Sequence, residues 1–115
     1  MFSVLCAAAI AAQPVAADFG YGELVSGQDD AAITVINRRP ATDDPARLIN
    51  LGVAYARTGD VARARAMFRA AHTAADRVEL ETASGDWVYS RVLARRAMEM
   101  LDRGEFARIE AFALK

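Results

Sequence analysis

The chain has 115 residues, enough for one domain. Apolar residues make up 54% and charged residues 25%, a mixture that can bury a core and does not read as disordered. Fifteen acids against fourteen bases leave a formal net charge of -1, so the chain as a whole lacks the positive excess with which nucleic-acid binders neutralise phosphates.

Met1 to Ala17 carries no charge. Val4 to Ala12 is an apolar run that Pro14 breaks, and Val15-Ala16-Ala17 places small residues before Asp18, as a signal-peptidase site requires. The expectation is a cleavable secretory signal over 1–17 and a mature domain over 18–115, periplasmic or secreted. The alternatives are an uncleaved membrane anchor, which alone would tie the chain to a membrane, and an ordinary first helix of a cytoplasmic protein. The run is shorter than the ~20 residues that span a bilayer. Cys6, the single cysteine, follows Leu5, which is too large for a lipid-attachment site. Cleavage would remove Cys6, so the mature fold is expected to hold by packing without a disulfide.

From Asp18 onward the apolar spacing is helical, and no run alternates strictly enough to predict a strand. Gly27-Gln28-Asp29, followed by Ala32 and Ile36, opens a helix that ends before Pro40 and Pro45. The acid pairs Asp29-Asp30 and Asp43-Asp44 precede helices, where carboxylates cap amides and suit the dipole. Asp44-Pro45 starts the next helix, with Leu48, Leu51 and Tyr55 on one face. Thr58-Gly59-Asp60 stops it, and Asp60 caps a second helix whose stripe is Val61, Ala64, Phe68 and Ala71. So short a turn makes the two helices antiparallel. A further helix is expected from Trp87 to Arg103, with Trp87 as a core or docking anchor, the alternative being a ligand contact, and Leu93, Ala97 and Met100 along it. Gly104-Glu105-Phe106 turns the chain into a last helix bearing Ile109 and Ala113.

Little here could catalyse. His72 is the sole histidine and follows a buried-stripe residue, which places it at an edge or in solvent. There is no paired His or Cys to hold a metal. Gly20-Tyr21-Gly22 is no phosphate loop, since no strand precedes it and no third Gly or Lys follows. The expectation is a non-enzyme without metal or cofactor.

Leu48, Leu51-Gly52, Tyr55, Gly59-Asp60, Ala64, Phe68 and Ala71 together resemble a tetratricopeptide repeat, at that family's spacing. Leu48 stands where Trp is usual and Asp76 where the closing Pro is usual. Gly52, Ala64 and Ala71 are small where the helices would cross closely, with Tyr55 and Phe68 filling the space between. Weaker copies flank this unit: the Ala32–Ile36 helix upstream, and downstream the helix ending at Gly104, with Arg96 at the usual Leu site. Gly59 and Gly104 lie 45 residues apart, against a family period of 34, so an insertion of about eleven residues is expected near Arg77 to Asp86, with Glu79 and Glu81 in solvent.

The resemblance implies an all-α fold of antiparallel αα-hairpin repeats, a short solenoid of about two and a half repeats. It also implies a non-catalytic adaptor that binds another protein or peptide on the concave face of its first helices. That face would carry Ile49, Asn50, Val53, Ala56 and Arg57 on the central repeat, and Arg91, Ala94, Arg95, Met98 and Asp102 on the last. The peptide-binding set drawn from it is Asn50, Val53, Arg57, Arg91, Arg95 and Met98. Asn50, Arg91 and Arg95 match three sites with which some members clamp an acidic group or a terminal carboxylate, and a guanidinium suits a carboxylate. The alternative function is structural: repeats stacking on another chain or on copies of this one, as a homo-oligomer.

Overall fold

Asp44 and Pro45 start the longest-buried helix of the protein. The Asp44 carboxylate accepts a hydrogen bond from the Ala46 amide at 2.9 Å, and proline occupies the first turn, where its missing N–H is not needed. In the computed structural model, which describes residues 19–108, the helices are α1 (Tyr21–Val25), α2 (Asp29–Asn37), α3 (Pro45–Arg57), α4 (Val61–Thr73) and α5 (Ser90–Asp102). A short antiparallel hairpin, β1 (Glu79–Glu81) with β2 (Trp87–Tyr89), lies between α4 and α5, and a 3-10 turn spans Glu105–Arg108. The fold is therefore mostly helical, with one small sheet. The expectations on the signal segment, its cleavage and Cys6, and on a last helix with Ile109 and Ala113, lie outside the described residues.

Every residue of α3 from Pro45 to Ala54 is buried, which makes it the central helix rather than one apolar on a single face. Three polar contacts orient its neighbours. The Asn50 Nδ2 donates to the Phe19 carbonyl at 3.0 Å, and the Arg57 guanidinium donates to the Leu24 carbonyl at 3.1 Å. Both sequences advance together, so α1 runs parallel to α3. The Asp29 carboxylate meets Arg57 at 3.0 Å, which puts the start of α2 at the end of α3, so α2 runs antiparallel. On the other side Asp60 caps α4 through the Arg63 amide, and Arg65 near the start of α4 reaches Asp102 at the end of α5 at 2.7 Å. The helices thus alternate in direction from α1 to α5.

The α3–α4 crossing is as close as its small residues predict. A Cβ on Gly52 would lie 2.5 Å from Cε1 of Phe68, so the aromatic ring fills the space a side chain would take. Ala64, Phe68 and Ala71 are buried as expected, whereas Val61 is half-exposed at the helix start. Phe106 stacks on Phe68 with ring centroids 5.6 Å apart, tying the turn after α5 to this core.

Two expectations are corrected. The helix predicted from Trp87 starts only at Ser90, because residues 79–89 form the hairpin. Leu80 and Val88 pair across it and pack on the core, while Glu79 faces Tyr89 and Glu81 faces Trp87 on the other side. Thr82 and Asp86 close a three-residue loop, and Gly85 supplies the positive φ such loops need (φ 93°). Only the Leu80 and Val88 side of the hairpin meets the core, which is how Trp87 comes to be 63% exposed rather than a core anchor. In the second correction, Asp29 does not cap its helix: Gln28 occupies the cap position, and the Asp29 side chain is committed to Arg57.

Candidate functional site

The residues predicted to line a concave face fall into two groups. Ile49, Asn50 and Val53 are fully buried, and Ala56 is partly so. Asn50 is held on the Phe19 carbonyl and Arg57 on Leu24 and Asp29, so the segment 19–25 covers the side of α3 that was expected to be open. Asn50, Val53 and Arg57 therefore lie within the α1–α2–α3 packing rather than on an open face. The helical stripe of α3 alone does not show this cover, because it comes from another element: the Leu24 side chain packs into the core, and the Phe19 and Leu24 carbonyls accept from Asn50 and Arg57.

The Arg57–Asp29 pair is largely shielded, with side-chain exposures of 10% and 17%. Burial raises the Asp29 pKa, and this outweighs the opposing pull of Arg57; the neighbouring Asp30 raises it further. Its ionised form is thus held in place at a desolvation cost.

The second group lies on α5. Ala94 is buried in the core, and Met98 is half-buried against it. Asp102 is engaged with Arg65 of α4. Arg91 and Arg95 are exposed, one turn apart on the same face, and Arg95 makes only a long contact of 3.9 Å with Glu99. The structure therefore brings Arg91 and Arg95 together, but not with Asn50.

What sequence reasoning missed is the hairpin immediately before them, which presents Tyr89 beside Trp87. Trp87 and Tyr89 are 63% and 58% exposed and occupy one face of β2, two residues apart. The hairpin that presents them is fastened at both ends. Ser90 donates its amide to the Val78 carbonyl at 2.8 Å and accepts the Val78 amide on its hydroxyl, and Thr82, Ser84 and Asp86 bond one another across the tip. The signal was the alternation Glu79-Leu80-Glu81-Thr82, a Ser84-Gly85-Asp86 turn and the β-favouring run Trp87-Val88-Tyr89.

Among the described residues no group of three or more His, Cys, Asp or Glu is placed to hold a metal ion, and no helix is long and apolar enough to cross a membrane. His72 lies at a partly exposed position on α4. Comparison with known proteins finds no match among protein-family models, curated sequences or solved structures.

Proposed function

We propose that this chain is a non-catalytic protein-binding module of tetratricopeptide-like helical repeats, and that it meets its partner through the hairpin and the start of α5. One observation carries the reading. Trp87 and Tyr89 stand exposed on a hydrogen-bonded hairpin directly ahead of the exposed Arg91 and Arg95. Trp, Tyr and Arg are the residues in which interface energy concentrates, and a fixed aromatic loses little conformational freedom on binding. The two guanidinium groups would take carboxylates of an acidic partner segment. The alternation of helix directions and the Gly52–Phe68 crossing support the repeat reading. As an exported adaptor the module would act outside the cytoplasm.

The test is affinity capture by the full chain from an extract of its source cells, with quantitative mass spectrometry. Trp87→Ala with Tyr89→Ala, and separately Arg91→Ala with Arg95→Ala, should each deplete the recovered partner at least about tenfold, equivalent to ~1.4 kcal/mol or more. The exposed arginines Arg38 and Arg69 lie elsewhere, and their replacement by Ala should leave recovery unchanged. Equal recovery by all variants refutes the proposal.

A further inference from the structure

Among the described residues Arg47 is the most deeply buried arginine, only 6% exposed, and its surroundings do not satisfy it. The guanidinium makes one long hydrogen bond, 3.4 Å from NH1 to the Thr42 carbonyl, and its Nε is buried without an acceptor. Among the described residues no carboxylate pairs with it. Buried charges are ordinarily paired, because an uncompensated ion in a low-dielectric site is strongly disfavoured. Its place in the first turn of α3 adds to the conflict, since the amino end of a helix repels a cation and attracts an anion.

Arg47 lines an open groove of ≈ 500 Å³ between the loop 41–43 and α4, floored by α3. The floor is apolar: Leu48 and Leu51 of α3 lie beside Met67 and Ala70 of α4. Asp43 shares the rim without forming an ion pair with Arg47. Along α3 the groove continues from Arg47 to Tyr55, roughly 12 Å at the helical rise per residue. Arg63 also lines the groove, over the Tyr55 ring at the far end, but it is already paired with Asp60. The unpaired cation is at the Arg47 end, which matches a ligand with an anionic head there and an apolar tail along the trough.

We infer that this groove is a binding site for a medium-chain monocarboxylate, its carboxylate on Arg47 at the amino end of α3 and its chain along Leu48, Leu51 and Met67. A carboxylate there would supply the missing counter-charge, and the chain would cover the partly exposed Met67 and Ala70 beside the buried Leu48 and Leu51. The groove shares no residue with the hairpin surface, so the two sites stand or fall separately.

The experiment uses the full chain with decanoate below its micelle concentration, decyltrimethylammonium and acetate, read by calorimetric titration and thermal melting. Decanoate is expected to bind saturably at one site and raise the melting temperature, and the other two probes to do neither. Arg47→Gln should weaken decanoate at least about tenfold. Ala70→Glu, at a half-exposed wall position, should abolish binding by placing a second carboxylate in the groove. Arg47→Met should melt higher than the ligand-free wild type, because it removes an unpaired buried charge. Equal binding of decanoate and decyltrimethylammonium, unchanged affinity in Arg47→Gln, or a lower melting temperature for Arg47→Met would each overturn the assignment. So would Arg47-dependent self-association without decanoate binding, which would make a second copy the occupant.

Discussion

The α3–α4 pair and the hairpin–α5 junction use the same residue types to opposite ends. In the pair, Phe68 is sealed against Gly52 and Phe106, and at the end of α3 Arg57 is sealed against Asp29. At the junction, Trp87 and Tyr89 face water and Arg91 is exposed beside them in sequence. What separates the two is the presence of a second layer. The pair has α1 and α2 on one side and α5 on the other, whereas the outer face of a two-stranded hairpin has nothing described above it. Aromatic and arginine content therefore does not distinguish core from interface; cover does.

The contrast can be broken most severely at Phe68. Phe68→Ala should destabilise by about 3–5 kcal/mol, the cost of removing a fully buried aromatic and leaving a cavity, measured by urea unfolding. Next is Arg57→Gln, which leaves the shielded Asp29 carboxylate without its counter-ion and should cost about 3 kcal/mol in the same assay. Gly52→Ala should cost ~1–3 kcal/mol by overpacking against the Phe68 ring, and Phe68→Leu should cost less in that background than in the wild type. That coupling would be missing if the two residues did not touch.

Asp29 adds a pH signature. Its folded-state pKa is raised above the unfolded value, so the folded state holds the proton more tightly. The associated stability is fully present below the unfolded-state pKa and is lost as pH rises through the folded-state value. The stability of the wild type minus that of Asp29→Asn should therefore decline with rising pH across the acid range. A difference that grows with pH would show that Arg57, not desolvation, dominates the site. The smallest effect on stability belongs to the junction: Trp87→Ala and Tyr89→Ala should each shift unfolding by less than about 0.5 kcal/mol, as exposed substitutions do.

The central pair was legible because its cues are local. Asp44 and Asp60 at the caps, the 3.6-residue stripes, and the small residues opposite Phe68 all act within one helix or across one short turn. The hairpin was less so: its alternation covers only three residues per strand, too few to outweigh the helical spacing around it. The expected groove misled for a different reason. The residues at Asn50, Val53 and Arg57 have the right helical phase to face outward from the α3–α4 pair, but phase says nothing about a third element. The cover comes from the segment 19–25, whose Leu24 side chain enters the core and whose Phe19 and Leu24 carbonyls bond Asn50 and Arg57, and from one long-range ion pair, Asp29 with Arg57. Arg91 and Arg95 have no such cover and stay exposed as expected.

Trp87 is the sole tryptophan of the chain, so its fluorescence reports on the proposed interface without a label. The most direct measurement is its emission and acrylamide quenching in the free protein and with the captured partner at saturation. The account predicts a red, readily quenched indole in the free protein, and a blue shift with protection from quenching in the complex. Emission and quenching that stay unchanged while the partner is fully bound would contradict it.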